Sequence, residues 1–95
     1  MNWDPHRRQS AAVLIKAIED LFSSSADVRR DSAKWFINND FYINTFKGIC
    51  FDIDLDDKKI LEKLIEMGLD PNKIVKGYKP EKKMRLKKLL FLMEE

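Results

Sequence analysis

Phe41-Tyr42-Ile43-Asn44-Thr45-Phe46-Lys47-Gly48-Ile49-Cys50-Phe51-Asp52-Ile53-Asp54-Leu55 is the stretch on which the fold class turns. Its apolar residues fit strand alternation in places and helical spacing in others. Phe51-Asp52-Ile53-Asp54-Leu55 alternates like a small edge strand, whereas Thr45 followed by Phe46, Ile49 and Cys50 supports a short helix. No partner strand is evident elsewhere, and an isolated strand leaves its backbone N–H and C=O groups unsatisfied. The stretch is therefore read as a short helix followed by an extended link, and the chain as all-α.

The flanking segments read as helices too. Upstream, Ser10 can cap a helix reaching about Phe22, with Leu14, Ala17, Ile18, Leu21 and Phe22 on one apolar face. Ser23-Ser24-Ser25 breaks it, and Ser24 or Ser25 starts a second helix to about Asn39. That helix is expected to bury Val28, Trp35 and Phe36 and to leave Arg29, Arg30 and Asp31 in water. Downstream, Asp54 or Asp56 caps a helix carrying the stripe Ile60, Leu61, Leu64 and Ile65, and Gly68 stops it. Asp70-Pro71 is a start signal, an acidic cap before proline at the first helical position, and Gly77 closes that short helix. Lys79-Pro80 opens the last helix. The expected architecture is one small compact bundle of five or six short helices, with a helix-turn-helix-like unit near residues 57–76. Residues 1–9 form a polar, flexible lead-in.

A length of 95 residues gives one domain, with no room for a second. Apolar residues make up 44% and charged residues 36%, a foldable balance that argues against global disorder. Apolar runs such as 11–15 and 89–93 fall far short of the roughly 20 residues of a membrane crossing. No transmembrane segment and no secretory signal is readable, and peripheral membrane contact is not favoured; a cytoplasmic location is the expectation. The single cysteine, Cys50, permits no internal disulfide and sits in an apolar sequence, as a core residue would.

The net charge of +2 hides a dipole. Residues 51–75 hold four basic and seven acidic side chains, and residues 76–95 hold seven basic and three acidic. Within residues 76–88, Lys76, Lys79, Lys82, Lys83, Arg85, Lys87 and Lys88 face only Glu81. Such a run can attract phosphates, although lysines on a small helical domain also simply solvate a face. The short helix from Pro71 would expose Asn72, Lys73 and Lys76, where Asn72 could pair with adenine and the lysines could reach guanine edges or phosphates. Arg29-Arg30 could add a contact, but Asp27 and Asp31 flank the pair and neutralise it locally. Trp35 and Phe36 could stack bases, but their spacing places them in the core.

Metal and catalytic chemistry find little support. Asp52, Asp54, Asp56 and Asp57 resemble the opening of a calcium loop, but the positions that need glycine and glutamate hold Asp57 and Lys63. Helix capping explains the same carboxylates, which could also form an acidic face for a protein partner. His6 is the only histidine, and Cys50 has no second group to activate it. No enzyme activity, metal or cofactor is expected. In the last helix, Leu86, Leu89, Leu90 and Met93 form a stripe, and Phe91 and Leu92 fall outside it. That surplus of apolar surface fits a partner helix or a homodimer.

The pattern Ala17-Ile18-Glu19-Asp20-Leu21, Val28-Arg29-Arg30-Asp31-Ser32-Ala33-Lys34-Trp35-Phe36, Ile49-Cys50 and Gly68-Leu69-Asp70-Pro71 resembles small uncharacterised helical proteins of bacterial genomes and prophages. It spans roughly residues 11–75, and the aspartates at 52–57 depart from it. The resemblance implies a regulatory or nucleic-acid-associated accessory factor of prophage or mobile-element origin, and it carries over no binding residue. The leading expectation is a nucleic-acid-binding protein, DNA being the first candidate, that uses its basic C-terminal helix. The alternative is an adaptor or inhibitor that meets a protein through residues 52–57 or the apolar face of that helix.

Overall fold

Five helices and no strand make up the described part of the chain in a computed structural model that describes residues 4–40, 42 and 44–80. They are α1 Pro5–Asp20, α2 Ala26–Ile37, α3 Phe46–Asp52, α4 Asp57–Glu66 and α5 Pro71–Ile74. The radius of gyration, 12.5 Å, matches the ~13 Å of a compact chain of about 100 residues. The sixth helix expected from Pro80 lies outside the described residues.

Each helix starts on a side-chain cap that takes up one of the unpaired N–H groups of its first turn. Asp4, Ser25, Thr45, Asp56 and Asp70 accept from the backbone N–H of Arg7, Val28, Gly48, Lys58 and Asn72 respectively. The ends of α3 and α4 share one pattern as well. After α3, Leu55 N–H donates to Cys50 O at 2.9 Å and Asp54 N–H to Phe51 O at 3.3 Å. After α4, Leu69 N–H donates to Leu64 O at 2.8 Å and Gly68 N–H to Ile65 O at 3.1 Å. These paired closures need a left-handed residue, supplied by Asp54 (φ 57) and Gly68 (φ 82).

The core is built where α1, α2 and α3 meet and where α4 and α5 close over them. Leu14, Ile18 and Leu21 from α1 and its end, Ala33 and Phe36 from α2, and Phe46, Ile49 and Cys50 from α3 are buried with Ile60, Leu64, Leu69 and Ile74. Phe36 stands edge-on to Phe46, with ring centroids 4.9 Å apart, and Trp35 packs on both. α5 packs mainly on α2, and α3 bridges α1 and α4.

The structure corrects several sequence expectations. α1 begins at Pro5 rather than after Ser10, because Asp4-Pro5 is the same acid-then-proline start as Asp70-Pro71. Residues 5–9 are therefore its first turns and not a lead-in, and Ser10 is buried inside the helix, not at its cap. The short helix expected after Thr45 forms as α3 and continues through Phe51 and Asp52, and a turn at Ile53 and Asp54 follows it where an extended link was expected. In α2 the buried face is Arg29, Ser32, Ala33 and Phe36, while Val28 is 38% exposed. Arg29 is thus not a wet residue: it is 9% exposed, and its Nη1 donates to Ser23 O at 2.7 Å. Ile65, expected in the α4 stripe, is 51% exposed, leaving Ile60 and Leu64 as the buried pair.

Candidate nucleic-acid surface

The described half of the expected basic surface is α5 and the turn after it. Asp70 caps the helix through Asn72 N–H at 3.0 Å, and Pro71 and Ile74 turn into the core. At 100° per residue this register puts Asn72, Lys73 and Lys76 outside, and all three are exposed. The chain then reverses at Gly77 (φ 110), where Gly77 N–H donates to Ile74 O at 3.0 Å and Tyr78 N–H to Lys73 O at 3.1 Å. Lys79 is exposed and Pro80 is buried. Among the described residues, no carboxylate lies within ion-pair distance of Lys73, Lys76 or Lys79. Lys82, Lys83, Arg85, Lys87 and Lys88 lie outside the described residues, as do the expected interface residues Leu86, Leu89, Leu90, Phe91, Leu92 and Met93.

Tyr78 is the member of this surface that sequence reasoning missed. It is 47% exposed, set among the lysines by the reversal at Gly77. The legible signal was Gly77-Tyr78-Lys79-Pro80, an aromatic held between two chain-directing residues beside basic ones. Arg29 and Arg30 do not join the surface as a pair. Arg30 Nη1 lies 3.7 Å from Asp27 Oδ1, and Arg29 is spent on Ser23 O.

A second cluster joins the start of α1 to the end of α3. His6 Nε2 lies 3.4 Å from Asp52 Oδ2, and Ser10 Oγ donates to the same oxygen at 3.4 Å. Arg7 donates from Nε to Asp52 O at 3.2 Å and from Nη2 to Asp54 Oδ2 at 2.7 Å. A nucleophilic relay needs the imidazole between hydroxyl and carboxylate. Here the carboxylate stands between the other two, so the geometry fastens α1 to α3 and does not activate Ser10. Three of the four aspartates of 52–57 are engaged within the chain, Asp52 and Asp54 by α1 and Asp56 by the α4 cap, and Asp57 lies in the first turn of α4. Among the described residues, no group of three or more His, Cys, Asp or Glu side chains is placed to hold a metal ion.

Two remaining features are chemically quiet. The groove between α1 and α2, lined by Val13, Lys16, Ala17, Asp20, Ser32 and Trp35, holds about 220 Å³, below the roughly 300 Å³ at which small-molecule pockets begin. Cys50 is 1% exposed, and its thiol is pushed up to about 12 from 9.0, first by burial and then by the charges of Asp57 and Asp56. It is a protonated core group at neutral pH. Because the folded state holds this proton more tightly, stability is unaffected by the thiol below pH 9.0 and is lost between there and about 12. Over that window, unfolding free energy should fall more steeply in the native chain than in Cys50→Ala, by up to about 1.4 kcal/mol per pH unit. Urea melts of both proteins from neutral pH upward check this, and parallel curves would contradict it.

Among the described residues, no helix is long and apolar enough to cross a membrane. No family model, curated protein or solved structure matches the chain.

Proposed function

We propose that the chain is a non-enzymatic accessory protein that binds nucleic acid through the basic surface starting at α5. The supporting observation is that Asn72, Lys73, Lys76 and Lys79 are all exposed, with no acidic partner for the three lysines among the described residues. A cation held near its own carboxylate gains little from a phosphate, whereas an unpaired one releases the phosphate's condensed counterions at full effect. In sequence the surface runs directly into Lys82, Lys83, Arg85, Lys87 and Lys88. The adaptor reading through residues 52–57 is less favoured, because Asp52, Asp54 and Asp56 are engaged by His6, Arg7, Ser10 and the α4 cap; its other route, the apolar face of the last helix, lies outside the described residues.

Fluorescence-anisotropy titrations against labelled duplex DNA, single-stranded DNA and RNA at two salt concentrations test the proposal. Binding should weaken steeply with salt. A Lys73→Gln, Lys76→Gln, Lys79→Gln variant with native circular dichroism should lose affinity for every probe and show a shallower salt slope, by about 0.7–0.9 per phosphate contact removed. Absence of binding at low salt would overturn it and turn the search to a protein partner, with the homodimer checked by sedimentation. An apolar interface would be indifferent to salt.

A further inference from the structure

Resting on the nucleic-acid reading above, we infer that this surface takes single-stranded nucleic acid, with the Tyr78 ring as the platform on which a base stacks. Phe36 and Phe46 are 1% exposed and Trp35 packs against both, while Phe51, 69% exposed on α3, stands beside Asp52 and Asp54 in the acidic 52–57 segment. Tyr78 instead stands 47% exposed on a backbone fixed from both sides. Before it, the reversal at Gly77 and the Tyr78 N–H bond to Lys73 O tie it to α5. Two residues after it, Pro80 is buried. A ring presented on a fixed backbone loses little ordering entropy on binding, which is what a stacking contact needs.

The surroundings match the same ligand. Lys73, Lys76 and Lys79 are exposed within five residues on either side of Tyr78 and can track a phosphate backbone, while the exposed Asn72 amide can meet a base edge. Duplex DNA fits less well. α5 has four residues and so is about 6 Å long, a single turn that offers little to the major groove. In a duplex, moreover, each base face is already covered by its neighbours. An unpaired strand offers free faces, and stacking on them tolerates any sequence. Tyr42 is more exposed, at 70%, but within the same five residues it has a single lysine, the half-buried Lys47, and the acidic Asp40.

The test uses the full chain with labelled oligothymidylate, oligouridylate and a mixed-sequence duplex of equal length. Tyr78→Ala should weaken binding to both single strands about tenfold with the salt slope unchanged, and Tyr78→Phe should retain affinity. Tyr42→Ala should bind as the native chain does, and the duplex should bind more weakly and ignore Tyr78. Equal affinity for the duplex, or single-strand binding indifferent to Tyr78→Ala, overturns this inference and leaves the nucleic-acid reading standing. Failure to bind any of the three probes at low salt overturns that reading itself.

Discussion

Phe36→Ala is expected to remove about 3–5 kcal/mol of stability, the range for truncating a buried aromatic, and to leave a chain partly unfolded at physiological temperature. The expectation rests on where the ring sits. Phe36 is 1% exposed, with centroids 5.0 Å from Trp35 and 4.9 Å from Phe46. It therefore joins α2 to α3, whose other ties across this region are few: Trp35 Nε1 donates to Asn44 O at 2.7 Å, just ahead of the α3 cap. Removing the ring leaves Trp35 and Phe46 facing a void, so a cavity cost adds to the lost burial. A domain of this size has about 5–15 kcal/mol in total, so the loss is a large fraction of it. Urea denaturation should show the midpoint falling with little change in slope, and Phe36→Leu should restore much of the difference. A loss below about 1 kcal/mol would mean that the aromatic cluster does not hold α2 to α3.

That cluster also shows what was legible beforehand. Phe36 and Trp35 announce a buried face by their type, and Asp70-Pro71, Gly68 and Gly77 announce helix ends by chemistry that acts within a few residues. Local signals of this kind were sufficient for α4, α5 and an all-helical fold. The register of α2 was not legible, because its buried face is made by Arg29, Ser32 and Ala33, whose types do not declare burial. Arg29 reaches the interior only because the turn at Ser23 offers it a carbonyl. The start of α1 was written in Asp4-Pro5 but obscured by the polar residues that follow. What holds it down is contact with Asp52 and Asp54, more than forty residues away, which no local pattern encodes.

The candidate surface divides in the same way. Asn72, Lys73 and Lys76 follow from the α5 register once Pro71 and Ile74 are placed in the core. Tyr78 does not, since the same residue one step along could have packed inward. Its exposure depends on the left-handed turn at Gly77 and on Pro80 taking the buried position instead. The aspartates at 52–57 suggested an acidic face from sequence, and folding uses Asp52 and Asp54 as ties and Asp56 as a cap.

Gly48→Ala sets two effects of opposite sign against each other, and the structure decides which wins. Gly48 lies inside α3, where replacing glycine by alanine ordinarily gains about 1 kcal/mol. A Cβ here, however, would stand 2.0 Å from Tyr42 O and 3.2 Å from Thr45 Oγ1. The obstacle is backbone, and it is tied in place. Tyr42 O accepts from Thr45 N–H at 3.2 Å and from Thr45 Oγ1 at 2.8 Å, and Thr45 Oγ1 in turn accepts from Gly48 N–H at 3.1 Å as the α3 cap. To admit the methyl, either the 42–45 turn must open, at about 1 kcal/mol for each hydrogen bond lost, or α3 must shift off its partners, at about 1–3 kcal/mol of packing strain. Either route costs about 2 kcal/mol at mid-range against a helical gain of about 1 kcal/mol, so a net loss of about 1 kcal/mol is expected, lowering the melting temperature by about 4–8 °C. Lys47→Ala, on the same helix without the close approach, should change it little. Melting curves for the two variants check this, and a Gly48→Ala protein more stable than the native chain would show that the turn does not lie against α3.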